Sequence, residues 1–192
     1  FLSAVIIYIL LQVAYTLFLK RIPIVDILAI AAGFVIRVWA GAFVINAHLS
    51  VWFLLCVISG SLFLAAGKRK AESSILEKYG SKPNLVYKPE LLDSYLNMFG
   101  TASWMSWSLF TFFYSSQATL LPFTADLPLT IAGIGKWLML TIPVVIFGIM
   151  RYLYISHTTT LARSPERTLI RDKYLLGAFL VWAALIIVTL YS

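Results

Sequence analysis

The chain has 192 residues, 61% of them hydrophobic and 12% charged, with 15 Lys and Arg against 8 Asp and Glu for a net charge of +7. A mean hydropathy of +0.90 excludes an ordinary soluble domain of this length, which needs far more polar surface. Nucleic acid is a poor partner for this basic balance, because the cations border apolar runs of bilayer-spanning length.

Six apolar runs predict six transmembrane helices, at about 2–19, 24–45, 51–66, 95–118, 137–155 and 174–191. The fold class expected is an all-α polytopic membrane bundle. A barrel is disfavoured because the runs are continuously apolar, without the alternation of barrel strands. All but two of the 15 Lys and Arg fall in alternate loops or at their edges, on one side. The exceptions are Lys136, in an opposite loop, and Arg37, inside the second run. The positive-inside rule puts the basic side in the cytoplasm and Phe1 outside. Such a one-sided surface suits anionic lipid headgroups and phosphates. The chain begins inside an apolar run and not with Met, which is read here as a fragment lacking an odd number of upstream helices.

Taken in chain order, the first inner turn brings Lys20 and Arg21 to the mouth of the second run, with Tyr15 before them and Asp26 after. These cations are either substrate contacts or plain positive-inside anchors, with Tyr15 a belt aromatic. In the second run Asp26, Ile30, Gly33 and Arg37 are spaced to share one helical face. Arg37 lies about 16 Å beyond Asp26 at 1.5 Å per residue. An Arg at that depth is costly and must face the bundle interior with a partner. It either lines a substrate cavity or stitches helices together. Gly33, Ala40 and Gly41 near this face allow close packing or open space.

The third run carries the single Cys56, an apolar filler that excludes an intrachain disulfide. It ends in Gly67-Lys68-Arg69-Lys70-Ala71-Glu72. Lys68 and Arg69 lie three to four residues from Glu72, so all converge on one helical face at the inner boundary. Lys and Arg suit phosphate oxygens, and Glu72 suits orienting those cations, a sugar hydroxyl or hydrated Mg²⁺. The plain alternative is stop-transfer charge whose surface pairs contribute little.

Residues 68–94 form the largest inner element, with a helical extension at 71–79, a break at 80–83 and a new helix from Pro89. Tyr87, Lys88, Asp93 and Tyr95, and later Arg163, Glu166, Arg171 and Asp172, are either cavity caps or solvated groups. Pro165 suits a first helical position after Ser164 as N-cap. Trp104, Trp107, Trp137 and Trp182 are expected to pack helices or meet the interface. No Ser-His-Asp set, glycine-rich nucleotide loop or paired-carboxylate arrangement is present, and no Cys/His metal cluster.

The blocks Tyr15-Thr-Leu-Phe-Leu-Lys20-Arg21, Asp26, Ala32-Gly33-Phe34-Val35-Ile36-Arg37 and Gly67 to Glu72 resemble the UbiA-type intramembrane prenyltransferase superfamily. Arg151-Tyr152, Ser164-Pro165-Glu166 and Asp172 extend the likeness. Where ordinary members have a second aspartate-rich motif, this chain has Lys68 to Glu72, which resembles the phosphoribosyl-transferring branch. The resemblance implies nine helices around a membrane-open cavity with a cytoplasmic cap, residues 68–94. The present chain would form the C-terminal two-thirds. It implies transfer of 5-phosphoribose from phosphoribosyl pyrophosphate to a decaprenyl-like polyprenyl phosphate, for an arabinose donor of the cell envelope. It also implies Mg²⁺, held mainly by a motif upstream of Phe1, with Glu72 a possible ligand. The substrate contacts expected are Tyr15, Lys20, Arg21, Asp26, Arg37, Lys68, Arg69 and Glu72. Asp26 is expected to organise Lys20 and Arg21. Prenyl transfer to an aromatic acceptor, and a transporter or non-catalytic membrane subunit, are the alternatives.

Overall fold

The computed structural model describes residues 2–46, 49–78, 87–118, 138–158 and 165–191, and every regular element among them is helical. In chain order these are α1 Leu2–Leu17, α2 Val25–Val44, α3 Val51–Lys78, α4 Pro89–Ala118, α5 Thr141–Thr158, α6 Pro165–Arg171 and α7 Lys173–Tyr191. A 3-10 turn, Leu19–Arg21, links α1 to α2.

Among the described residues, three segments are long and apolar enough to cross a bilayer by themselves: Val25–Val44, Val51–Ser73 and Leu138–Thr158. They fall on the second, third and fifth apolar runs. The first and sixth runs form shorter apolar helices, Leu2–Leu17 and Lys173–Thr189. The fourth lies within α4, which is long but intersperses Asn97, Ser103, Ser106, Ser108 and Thr111 among its apolar residues. Composition and length therefore support three spans directly, fewer than the six expected.

The helical extension and the new helix expected within 68–94 are both present. α3 runs on through the basic cluster to Lys78, and α4 already starts at Pro89. The break at 80–83 lies outside the described residues, as do Trp137, Ser164 and Arg163. Pro165 does open α6.

α3 is the central helix and packs against α2, α4 and α5. Small residues on its inner turns, Ala65, Ala66, Gly67 and Ala71, bring neighbouring backbones close. One buried cluster joins Ile27 and Ala31 of α2 to Leu62 and Ala65 of α3 and to Tyr87 and Leu92 beside and in α4. A second joins Phe63, Ala66 and Ala71 to Leu96, Tyr152, Ile155 and Leu175. Trp107 bridges helices as expected: its indole N–H donates to Thr141 Oγ1 at 2.9 Å, and its ring lies 5.6 Å from that of Trp182. Cys56 is half-buried, with its thiol against the Ser103 carbonyl. Leu10, Trp39, Phe43, Phe179 and Leu180 stay exposed on the outer faces of α1, α2 and α7. Such apolar surface suits lipid.

Asp172 fixes the entry to α7. Its Oδ1 accepts the Leu175 backbone N–H at 2.8 Å. Arg151 of α5 donates to both carboxylate oxygens, Nε at 3.2 Å and Nη2 at 2.7 Å. The Arg151 hydrogen bond holds this carboxyl below the usual carboxylate range. A lowered folded-state value means the stabilisation is present above the ordinary carboxylate range and is lost as pH falls through the lowered value. Asp172→Ala is expected to weaken the α7 N-terminus by about 1 kcal/mol, typical of a lost cap. Hydrogen exchange of the first α7 amides measures it. Asp172→Asn keeps the cap and is expected to remove the acid step.

Candidate functional site

A cavity of about 950 Å³ opens among α1, α2, α3, α5 and the α6–α7 corner. That is the size range of small-molecule and cofactor sites. Its wall is mostly apolar and aromatic, with Gly33, Phe63 and Tyr152 among the residues that line it. Two cations also line it, Arg37 and Lys68, and no described carboxylate does. The hollow is thus greasy and electropositive, which suits an amphipathic anion.

Of the α2 face read from spacing, Asp26 and Gly33 are buried and Ile30 is half-buried, whereas Arg37 is exposed and not enclosed within the bundle as expected. Asp26, Ile27, Ala29 and Gly33 are buried. Asp26 is fully buried, and it does not organise Lys20 and Arg21, which remain exposed on the 3-10 turn. Its carboxylate instead pairs with Arg69 of α3 through Nε. The physical reason is geometric. α2 and α3 pack side by side, which brings an anion into reach of the Arg69 guanidinium, whereas Lys20 and Arg21 sit on an exposed turn.

Arg69 is committed to three groups. Beside Asp26, its Nη1 pairs with Glu72, the expected i, i+3 contact. Its Nη2 donates to the Tyr15 hydroxyl at 2.6 Å. Arg69 is not among the cavity-lining residues, while its neighbours Lys68 and Tyr15 are. The cluster therefore divides by helical face. Lys68 looks into the cavity, Arg69 and Glu72 brace α1 and α2, and Lys70 turns to Asp93 and to the His157 ring. Asp93 accordingly serves as an ion-pair partner. Tyr87, which spacing offered only as a possible cap, is buried. Its hydroxyl donates to Asp26 Oδ1 and accepts the Ile24 backbone N–H at 2.6 Å. Burial first, then the bond to the Asp26 carboxylate, pushes the Tyr87 phenol up to about 12. It stays a proton donor at any physiological pH.

Arg37 lines the cavity from an exposed position and also stitches helices. It donates to the Tyr8 hydroxyl, stacks over the Tyr8 ring at 4.9 Å from the centroid, and lies 5.4 Å from the Phe34 centroid. Gln12 donates to the same hydroxyl at 2.7 Å. Tyr8 and Gln12 had no signal in the sequence beyond belonging to an apolar run, and Tyr152 had only its place in the Arg151-Tyr152 block. Only α1 and α5 packing beside α2 and α3 makes Gln12 and Tyr152 part of this wall and sets Tyr8 against Arg37 behind it.

Among the described residues no group of three His, Cys, Asp or Glu converges to hold a metal ion. Glu72 and Asp26 have their carboxylates on Arg69. Among the described residues Glu72 is a brace for Arg69 and not part of a metal-ligand group.

Gly67 permits a close approach behind the wall residue Tyr152. A Cβ there would lie 2.5 Å from the Tyr152 hydroxyl and 2.7 Å from a ring carbon. Gly67→Ala is expected to push the ring into the cavity and to destabilise the protein by about 1–3 kcal/mol through overpacking. Unfolding in detergent tests this, and an unchanged midpoint would mean that the contact is not there.

No protein-family model matches the sequence. Comparison with curated proteins is decisive. The chain is 32% identical over 188 residues to the decaprenyl-phosphate phosphoribosyltransferase of Corynebacterium glutamicum, covering 96% of the chain and 52% of that protein. It is 32% identical over 186 residues to the decaprenyl-phosphate phosphoribosyltransferase of Mycolicibacterium smegmatis, 96% of the chain and 57% of that protein. The protein of the same name from Mycobacterium tuberculosis is 30% identical over 180 residues, 93% of the chain and 55% of that protein. The chain is a homologue of decaprenyl-phosphate phosphoribosyltransferases. It spans about half the length of these curated relatives. The likeness first visible at the Arg37 and Lys68 blocks thus extends along nearly the whole chain.

Proposed function

We propose that a protein containing this chain transfers a 5-phosphoribosyl group from phosphoribosyl pyrophosphate to a decaprenyl-like polyprenyl phosphate, at the cytoplasmic face of a membrane. One observation carries this reading. The cavity joins apolar walls to Lys68 at its polar end, with no described carboxylate to repel a phosphate. An isoprenoid tail fits the former and an anionic headgroup the latter. The names of the homologues supply the reaction class. The cation-rich edges support the cytoplasmic orientation by the positive-inside rule and attract anionic lipids.

In the proposed step a lipid phosphate oxygen attacks the anomeric carbon of ribose. The bond from that carbon to the pyrophosphate oxygen breaks, and pyrophosphate leaves with the electron pair. The nucleophile is already ionised, so no strong base is required. Charge builds on the leaving group, and a cation fixed beforehand stabilises it. Lys68 is assigned that part or the seating of the lipid phosphate. Tyr15 supplies a hydroxyl on the same wall, and Arg69, Asp26 and Glu72 hold Tyr15 and the helices in place. Any Mg²⁺ would be held by residues outside this chain, and no step assigned here passes through it. The product is proposed to feed arabinose-donor synthesis for the cell envelope.

The test uses membranes carrying the full-length protein, supplied with radiolabelled phosphoribosyl pyrophosphate plus polyprenyl phosphate. Label entering the lipid phase with release of pyrophosphate is expected. Transfer from labelled polyprenyl diphosphate to an aromatic acceptor in its place would favour the prenyltransferase alternative. Turnover of neither would favour a non-catalytic subunit.

A further inference from the structure

The turn into α2 contains a backbone feature that the proposed reaction does not use. Ile24 precedes α2 with φ 71° and ψ −48°, and no side chain caps the helix there. A β-branched residue at positive φ is an outlier, held only where its surroundings over-determine it. The restraint is visible. The Tyr87 hydroxyl accepts the Ile24 N–H at 2.6 Å and donates to the Asp26 carboxylate two residues on. Tyr87 itself is locked in the buried cluster with Ile27, Ala31 and Leu92.

One phenol therefore holds both the strained peptide and the carboxylate. From Asp26 the contacts continue to Arg69 of α3, and from Arg69 to Tyr15 of α1, which lines the cavity together with Lys68. Tyr87 does not line the cavity. We propose that Tyr87 is a positioning residue: it latches the α1–α2 turn so that Asp26, through Arg69, fixes Tyr15 at the polar end of the cavity. The proposal rests on the phosphoribosyl-transfer reading only for the identity of the anion. The latch itself follows from the contacts.

Without the hydroxyl, Ile24 is free to relax to an ordinary φ. The first turn of α2 then rotates, Asp26 leaves Arg69, and Tyr15 loses its anchor. A rim group that contacts ground state and transition state alike sets KM more than kcat. Tyr87→Phe in the full-length protein is expected to raise the KM for polyprenyl phosphate about tenfold, with kcat falling less than about threefold. Glycine accepts φ 71° without steric conflict. Ile24→Gly added to Tyr87→Phe is therefore expected to recover much of the lost affinity.

Direct binding of a short polyprenyl phosphate to purified protein, followed by tryptophan fluorescence, provides a readout that does not need turnover. A wild type that binds this lipid but transfers no phosphoribose would sink the reading above and leave the latch standing, provided that Tyr87→Phe weakens binding and Ile24→Gly restores it. Unchanged binding in Tyr87→Phe overturns the latch. So does a Tyr87→Phe loss that Ile24→Gly does not repair, since that is the mark of a merely structural tyrosine.

Discussion

Replacing Lys68 by Met is expected to reduce phosphoribosyl transfer by about 10²-fold or more, the loss typical of removing one preorganised group that stabilises developing charge. The methionine keeps the length and apolar stem of the side chain, so the α3 packing around Ala65 and Ala66 is retained. Lys68→Arg keeps the charge but presents a planar fork in place of a compact ammonium, and is expected to recover only part of the rate. The measurement is incorporation of labelled phosphoribose into lipid, with unfolding in detergent as the control for folding. A Lys68→Met protein that is folded and fully active would remove the cation from the chemistry. Arg37 provides the contrast. It stands on α2, about 16 Å along that helix from Asp26, and is engaged with Tyr8. Its loss is expected to loosen α1 against α2 before it affects the phosphoryl end.

The largest effect on stability is expected from Asp26→Asn. Asp26 is fully buried and bonded to Arg69 and Tyr87. Removing one partner of a buried pair leaves an uncompensated charge and typically costs about 3–5 kcal/mol. Glu72 still faces Arg69, so the lower end, about 3 kcal/mol, is expected here. The double variant Asp26→Leu with Arg69→Met removes both charges and is expected to regain most of that stability, as apolar replacements of buried pairs often do. It is not expected to regain activity, because Tyr15 loses the guanidinium that holds it. Unfolding by detergent titration, read as a double-mutant cycle, measures the coupling. Additive effects of the two single substitutions would show that the side chains do not interact.

Much of the candidate site was legible one helix at a time. The spacing of Asp26 and Gly33 marked the inward face of α2, while Arg37 on the same stripe lines the cavity but stays exposed. Lys68 to Glu72 stood out as charge at the end of an apolar run, and the Arg69–Glu72 pair follows from helical pitch alone. What spacing could not say was which cation faces which way. Lys68, Arg69 and Lys70 are consecutive, about 100° apart around α3, so each meets a different neighbour: the cavity, Asp26 and Asp93. The expected partnership of Asp26 with Lys20 and Arg21 failed on this point. Sequence proximity favoured the turn, whereas burial favoured the helix across the interface. Tyr87 was equally illegible, being a tyrosine beside a loop whose value lies in the strained peptide it touches.

Composition and periodicity by themselves determined that this chain is a helical bundle made for lipid, and which residues are too polar to face hydrocarbon. Those properties depend on local physics: transfer energies, helical pitch, and the need to satisfy every backbone group within the helix. Tertiary structure alone decided which of those polar residues share a cavity and which brace it. Pairing a carboxylate on α2 with a guanidinium on α3, and both with tyrosines from two further segments, depends on how helices pack, and no periodicity along one chain encodes that distance.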